Sequence, residues 1–94
     1  MKQLLWYLIA GTRGGESRAK IVNSIRKKPA NANQLSKSLE LDYKTILHHL
    51  GILTENNIIM ALKKGSYGAV YFLSVDMEKN IGYFDEIWNK FGNK

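Results

Sequence analysis

The stretch LELDYKTILHHLGILTENN, residues 39–57, decides the fold of this chain. At 100° per residue, its apolar positions Ile46, Leu50 and Leu53 lie on one side of a helix, and polar residues lie opposite them. Asp42 precedes this periodic run, where its carboxylate can accept hydrogen bonds from the first free backbone N–H groups. The pattern therefore predicts an amphipathic helix that begins directly after this cap and buries one stripe.

A shorter helix is predicted immediately upstream, in the segment NANQLSKSLE. Asn31 and Gln34 have the spacing of a capping box, in which each side chain bonds the backbone N–H of the other residue. Leu35 and Leu39 are four residues apart and therefore share one helical face. About three residues connect the two helices, which is the connection length of a helix-turn-helix. We therefore place this motif at residues 31–56, with its second helix as the one that would read DNA.

The composition bounds the fold class and the chemistry. With 94 residues and 45% apolar content, the chain is expected to form one domain, and domains of this size often complete their core by oligomerising. The absence of cysteine excludes disulfides, thiolate metal sites and a cysteine nucleophile, and it is consistent with a cytoplasmic location. Paired carboxylates, a nucleophile–base set and a cofactor-binding loop are not recognisable in the sequence, so we expect neither enzymatic activity nor a cofactor.

The net charge of +6 is distributed unevenly along the chain. Residues 1–64 contain 11 Lys/Arg and 4 Asp/Glu, a balance of +7, whereas residues 65–94 contain 3 and 4, a balance of −1. The basic part includes the predicted helix-turn-helix. This asymmetry favours a polyanionic partner, with double-stranded DNA as the leading candidate. A basic surface that only confers solubility is the alternative.

The first eleven residues, MKQLLWYLIAG, contain an apolar run that is far shorter than the roughly 20 residues of a membrane span. A small-residue cleavage site is also missing before the GTRGG segment, so we expect neither a signal peptide nor a membrane span. The run does not favour one helical face, which predicts a short helix over 1–11 that is buried on more than one side. The GTRGG segment is expected to be a turn or hinge.

Another helix is predicted over 16–28, because Ile21, Val22 and Ile25 face inward and Pro29 ends the pattern. Its last turn contains three consecutive cations, which offset the helix macrodipole. Contact with a DNA phosphate is a second role open to these cations.

Two β-rich runs, IIMALKK and AVYFLSV, flank the glycine-containing loop GSYG. This arrangement predicts an antiparallel hairpin over 58–75, and a hairpin directly after a helix-turn-helix is a wing. Its tip would contain Lys63, Lys64, Ser66 and Tyr67, whose side chains can reach phosphates or the minor groove. An exposed polar turn that contacts nothing is the alternative.

The C-terminal segment has apolar residues at the 4-3-4-3 spacing of a helix–helix seam. These residues are Met77, Ile81, Phe84, Trp88 and Phe91. Asp76 is placed to cap a helix over 76–91. We interpret the stripe as a dimerisation seam, with Leu5 and Trp6 of the N-terminal segment beside it. Burial in the chain's own core is the alternative.

The segment LDYKTILHHLGIL and the hairpin after it resemble the recognition helix and wing of ArsR-like winged-helix regulators. The combination of LLWYLIAGTRGG, NANQLSKSLELDYKTILHHL and YGAVYFLS is similar, over nearly the whole chain, to small archaeal winged-helix transcription regulators. The resemblance implies base contacts by Tyr43, Lys44, Leu47 and His48, and a position near the DNA backbone for Thr45. The chain departs from its relatives in two residues: they usually have a polar or basic residue at the position of Leu47 and a glycine at that of Glu40. The cysteines that many ArsR-like metal sensors use are absent.

The adjacent residues His48 and His49 have different expected roles. Neighbouring helix positions point about 100° apart, so the two rings cannot converge on one metal ion. His49 lies beside the buried stripe and is expected to be a partly buried, hydrogen-bonded histidine. His48 shares the outer face with Lys44 and is the better candidate for DNA contact.

Together these patterns predict an α+β, mostly helical protein over residues 1–94: a winged helix-turn-helix with a two-stranded wing and additional N-terminal and C-terminal helices. It would bind double-stranded DNA as a homodimer, at an inverted repeat, and regulate transcription. The alternative from another class is a protein-assembly module, in which the apolar terminal helices bind a partner and the basic face is not used. Salt-dependent binding to duplex DNA distinguishes the two.

Overall fold

The structure, a computed structural model, describes residues 1–63 and 68–91. Helix α1 (Lys2–Leu5) continues as a π-helical segment (Trp6–Ala10), and α2 (Gly15–Lys27), β1 (Ala30–Asn31), α3 (Ala32–Leu39) and α4 (Tyr43–Glu55) follow. The chain then forms β2 (Ile59–Lys63), β3 (Ala69–Leu73), α5 (Val75–Lys79) and α6 (Ile81–Phe91). Helices and a small antiparallel sheet in this order form an α+β winged helix-turn-helix.

The two helices of the helix-turn-helix begin where the sequence predicts. Asn31 Oδ1 accepts a hydrogen bond from the Gln34 backbone N at 2.7 Å, and Gln34 Oε1 accepts one from the Asn31 backbone N at 2.8 Å. Asp42 Oδ2 accepts from the backbone N of Lys44 at 3.0 Å and of Thr45 at 3.3 Å. The predicted capping box and N-cap are therefore confirmed.

The turn between α3 and α4 is held in one shape by local hydrogen bonds. The Ser36 hydroxyl donates to the Leu41 carbonyl at 2.6 Å, and the Leu41 backbone N donates to the Ser36 carbonyl at 3.1 Å. Glu40 ends α3 in the left-handed conformation, with φ of +56°. Glycine adopts this conformation without the steric cost that other residues bear, which gives a physical reason for the glycine in related chains.

Among the described residues the sheet has the strand order β1-β3-β2: β2 and β3 are the two antiparallel strands predicted for the wing, and β1 is a short additional strand that was not predicted. Strand β1 pairs with β3 through Ala30 opposite Tyr71, and β2 pairs with β3 through Ala61 opposite Tyr71. The chain leaves α2 at Lys28 in an extended conformation, and Pro29 prevents the helix from continuing. The next two residues can therefore pair before the cap of α3, but two residues are too few to give a sequence pattern.

The apolar stripes predicted for α2 and α4 both face the core. The buried apolar side chains include Leu5, Leu8, Ile9, Ile21, Val22, Ile25, Leu35, Ile46, Leu50, Leu53, Ile58, Ile59, Met77, Phe84 and Ile87. In the N-terminal helix, Leu5, Leu8 and Ile9 are buried and Leu4 and Trp6 pack against the core, whereas Tyr7 is exposed. Within residues 1–63 and 68–91, the structure contains no helix long and apolar enough to cross a membrane.

The C-terminal segment differs from the prediction of one helix capped by Asp76. It forms two helices with a break at Asn80, and the cap is Ser74, whose hydroxyl accepts from the Met77 backbone N at 2.9 Å. Ser74 also donates to the carbonyl of Asn57 at 2.7 Å. Asn57, two residues after the end of α4, has the left-handed conformation with φ of +59°. The Ser74 hydroxyl thus connects the start of α5 to the end of α4 through two hydrogen bonds.

The dimerisation seam cannot run through all the residues predicted for it. Leu5, Met77 and Phe84 are fully buried within the single chain, so for them the prediction is wrong and the intramolecular alternative holds. The physical reason is that α6 packs on α1 and on the π-helical segment, so the two ends of the chain cover each other. The remaining seam residues, Trp6, Ile81, Trp88 and Phe91, retain exposed surface.

Candidate nucleic-acid interface

Helix α4 presents one face to solvent, opposite its buried stripe. This reading face consists of Tyr43, Lys44, Thr45, Leu47 and His48, all of which are exposed. Tyr43 is 48% exposed and Leu47 is 41% exposed, which is high for side chains of this size. All five residues that the resemblance assigned to DNA on this helix are therefore accessible to a partner.

Four residues of the reading face form two strips at i,i+4 spacing, and Thr45 lies outside both strips. Tyr43 and Leu47, the apolar strip, line an open groove between α4, the start of α3 and the wing, and Lys63 of the wing lines the same groove. Lys44 and His48, the polar strip, point about 100° further round the helix. His48 lines a separate cleft beside Arg13. The structure thus brings together Tyr43, Leu47 and Lys63, with the polar strip alongside.

The groove is also lined by residues that were not predicted as site residues, among them the polar side chains of Asn31, Asn33 and Tyr71. Asn33 lies in the first turn of α3 with its side chain exposed, whereas the side-chain oxygen of Asn31 is used by the capping box. Tyr71 comes from the central strand β3. Three further predicted wing residues, Lys64, Ser66 and Tyr67, lie outside the described residues.

Arg18 is a buried cation that the sequence analysis missed. It is 3% exposed and lies on α2. Its guanidinium donates to the carbonyl of Leu8 at 2.8 Å, to the hydroxyl of Thr12 at 2.5 Å and to the carbonyl of Arg13 at 3.1 Å. Its Nη1 is 3.3 Å from His49 Nδ1 on α4. The spacing of Arg18 relative to the apolar stripe of α2 is the signal that could have found it.

The GTRGG segment is a tightly packed turn rather than a hinge. Gly14 has φ of +90°, and a Cβ there would lie 2.7 Å from His49 Cε1. A Cβ on Gly15 would lie 1.9 Å from the carbonyl oxygen of Ile9, so any side chain at this position would displace the backbone. Together with the hydrogen bonds of Arg18, this packing fixes the turn against the buried side of α4.

His49 is a buried, hydrogen-bonded histidine, as the sequence predicts. It is 6% exposed, and burial lowers its pKa from the usual 6.5, with further lowering by the charges of Arg18 and His48. Burial also lowers the pKa of Arg18, but arginine stays protonated and can only donate. His49 therefore accepts the Arg18 hydrogen bond through a neutral Nδ1, which places the ring proton on Nε2.

This arrangement predicts how the stability of the fold depends on pH. Because the pKa of His49 is lowered in the folded chain, the unfolded chain binds a proton at this residue at a higher pH. The free energy of unfolding should therefore decrease as the pH falls below 6.5, by about 1.4 kcal/mol for each unit of pKa lowering. Urea unfolding between about pH 8 and pH 5 measures this decrease.

Two histidine variants identify the group responsible. His49→Asn keeps an acceptor for Arg18 but cannot be protonated, so it should reduce the loss of stability between pH 6.5 and 5. His48→Asn removes the exposed neighbour and should keep most of the loss. Equal pH dependence in the wild type and His49→Asn would contradict the assignment.

Within the described part of the chain, groups of three or more His, Cys, Asp or Glu side chains placed to bind a metal are absent. The rings of His48 and His49 have centroids 5.3 Å apart and planes tilted by 60°.

The fold, the accessible recognition helix and the adjoining wing define a protein of the winged helix-turn-helix class. Residues 15–61, which are 47 of the 94 residues, match the bacterial regulatory protein, arsR family. The chain belongs to this family. Its family and fold are those of DNA-binding transcription regulators, which are not enzymes.

Solved structures of other proteins have a similar fold. Reduced HlyU from Vibrio cholerae N16961 is 17% identical, and the match covers 98% of this chain and 90% of HlyU with a TM-score of 0.70. Wild-type apo MarR from E. coli is 17% identical over 98% of this chain and 68% of MarR, with a TM-score of 0.70. An S. aureus MepR mutant bound to an oligodeoxyribonucleotide is 15% identical over 95% of this chain and 68% of MepR, with a TM-score of 0.67. No curated protein sequence matched the chain.

Proposed function

We propose that this chain is a homodimeric transcription regulator that binds a specific double-stranded DNA sequence through the reading face of α4. The observation that carries the proposal is the accessibility of that face beside the wing, within residues 1–64, which have a charge balance of +7. The oligodeoxyribonucleotide bound to the MepR mutant supports it, because MepR has the same fold.

The residues of the reading face have distinct proposed roles. Lys44 and His48 donate to base edges or phosphates in the major groove, and Thr45 contacts the DNA backbone from the first turn of α4. Lys63 contacts a phosphate from the wing. The sequence predicts a similar role for Lys64, Ser66 and Tyr67, which lie outside the described residues. Because α4 and the wing line the same groove, both can contact one DNA duplex at the same time.

The proposed dimer uses the outward surface of the two terminal helices. Trp6 and Phe91 meet edge to face there, with ring centroids 4.7 Å apart and planes at 69°. Phe91 is 49% exposed, and Trp88 is partly exposed on the same helix. Exposed aromatic side chains are enriched at protein interfaces, and a two-fold axis through this surface would present two α4 helices to an inverted repeat.

Alanine substitution of the polar strip tests the proposed DNA contacts. Lys44→Ala should weaken binding to a duplex selected from random DNA by about 1–3 kcal/mol, because a cation on the reading face is lost. If Lys44 contacts a phosphate, the slope of log K against log salt should become shallower by about 0.9 for each subunit. Fluorescence anisotropy in increasing salt measures both quantities.

Lys79→Ala is the matched control, because it removes an exposed cation from α5, outside the proposed interface. Its affinity and salt slope should equal those of the wild type. Absence of duplex binding even at low salt would exclude the proposal and favour a protein-assembly module that uses the terminal helices.

A further inference from the structure

Leu47 is an apolar side chain on the reading face that the fold does not use. It is exposed, whereas Ile46 and Leu50 on the same helix are fully buried. Within the described part of the chain, Leu47 belongs neither to the hydrophobic core nor to the partly buried side chains packed against it. Its apolar surface is therefore free to contact a partner, and burial there would contribute favourably to binding.

The neighbours of Leu47 indicate which partner surface it meets. Tyr43 lies one turn earlier on the same strip and adds an aromatic ring. Lys63 lines the groove on the wing side, and the polar strip with Lys44 lies on the other side. The apolar strip is therefore bordered by cations on both sides. This pattern suits an apolar group embedded in a polyanion better than it suits an apolar protein surface.

On the major-groove edges of DNA, one base carries an apolar group: the C5-methyl of thymine. We propose that the apolar strip, and Leu47 in particular, contacts a thymine methyl group and thereby selects thymine at one position of each half-site. This inference rests on the proposed function, because it requires α4 to enter the major groove. It assigns specificity to van der Waals contact at Leu47 and leaves hydrogen-bonded recognition to Lys44 and His48.

Replacement of thymine by uracil removes only this methyl group and tests the proposal directly. The probe is a duplex selected from random DNA, in which each thymine of the half-site is replaced singly by uracil. At one position the wild type should lose about fourfold in affinity, since burying one methyl-sized group contributes about 0.8 kcal/mol. At other positions the affinity should stay within about twofold of that for the parent duplex.

Variants of Leu47 show whether this side chain carries the discrimination. Leu47→Ala should bind the parent duplex more weakly but bind the thymine and uracil duplexes equally well, because the contact is already lost. Leu47→Met keeps an apolar side chain and should retain part of the discrimination. Val75→Ala shortens an exposed apolar side chain on α5 and should behave like the wild type. Circular dichroism checks that each variant is folded.

The outcomes separate this inference from the proposed function. If no duplex is selected, the proposed function fails. If a duplex is bound but every uracil substitution leaves the affinity unchanged, or if Leu47→Ala keeps the full preference for thymine, the inference fails while DNA binding stands. Loss of self-association in Leu47→Ala, with unchanged preference for thymine, would instead place a second copy of the chain on the apolar strip and would overturn the inference.

Discussion

Replacing Phe84 with alanine should lower the free energy of unfolding by about 3–5 kcal/mol, the range for aromatic truncation in a core. Phe84 has no exposed surface and lies in the same hydrophobic core as Leu5, Leu8 and Met77. A small domain has a total stability of about 5–15 kcal/mol, so the variant should be only marginally folded. Urea unfolding at fixed protein concentration, followed by circular dichroism, measures the change.

The matched control is the adjacent aromatic residue. Tyr83 is exposed, and its ring faces the Lys2 ammonium at 5.3 Å from the ring centroid. Tyr83→Ala should therefore cost about 1 kcal/mol or less. If Phe84→Ala changed the oligomeric state and left the stability of the monomer intact, Phe84 would lie between subunits, as its heptad spacing first suggested.

The sequence predicted those features that short local patterns determine. The capping residues Asn31, Gln34 and Asp42 act within three positions along the chain, so their identity and spacing are sufficient to place the starts of α3 and α4. The apolar stripe of α4 has the same local character. In these two helices, packing in the folded chain buries the apolar side chains but does not change where the helices begin.

The C-terminal stripe shows where sequence patterns stop being informative. A 4-3-4-3 spacing indicates that Phe84 and Met77 are buried, but it does not tell which surface buries them. The surface that buries them is formed in part by the N-terminal helix, which packs on α6. This packing joins residues from opposite ends of the chain. The cap residue Ser74 also makes a non-local contact, because its hydroxyl donates to the carbonyl of Asn57 at the end of α4.

The reading face was predicted from resemblance and periodicity, but its division into two strips was not. That division depends on the position of the wing, which places Lys63 beside Tyr43 and Leu47 and leaves Lys44 outside the groove. The pairing of Arg18 with His49 was missed for a similar reason. A cation at an inward position is visible in the sequence. Its four acceptors, which lie on the π-helical segment, on the turn after it and on α4, become visible only in the fold.

Disrupting the proposed dimer should have the largest effect on DNA binding. Phe91→Glu and Trp88→Glu each place a carboxylate in the surface that would be buried between subunits, which is costly without a partner. Because Phe91 is exposed in the single chain, Phe91→Glu should keep the monomer folded. The affinity for the selected duplex should fall by about 10²–10⁴-fold, since two linked α4 helices bind two half-sites far more tightly than one helix binds a single half-site. Sedimentation velocity measures the oligomeric state, and fluorescence anisotropy measures the affinity.

Asn89→Glu distinguishes loss of the interface from the effect of added charge. It places the same carboxylate next to Trp88, at an exposed and already polar position, so it should remain dimeric and bind DNA with nearly wild-type affinity. A two-fold dimer also predicts an inverted repeat whose half-sites are about 10 base pairs apart, or a multiple of that spacing, because the major groove recurs once per turn. A wild-type monomer at tens of micromolar would contradict the proposed dimer. A dimer that survives Phe91→Glu and Trp88→Glu would place the interface on another surface of the chain.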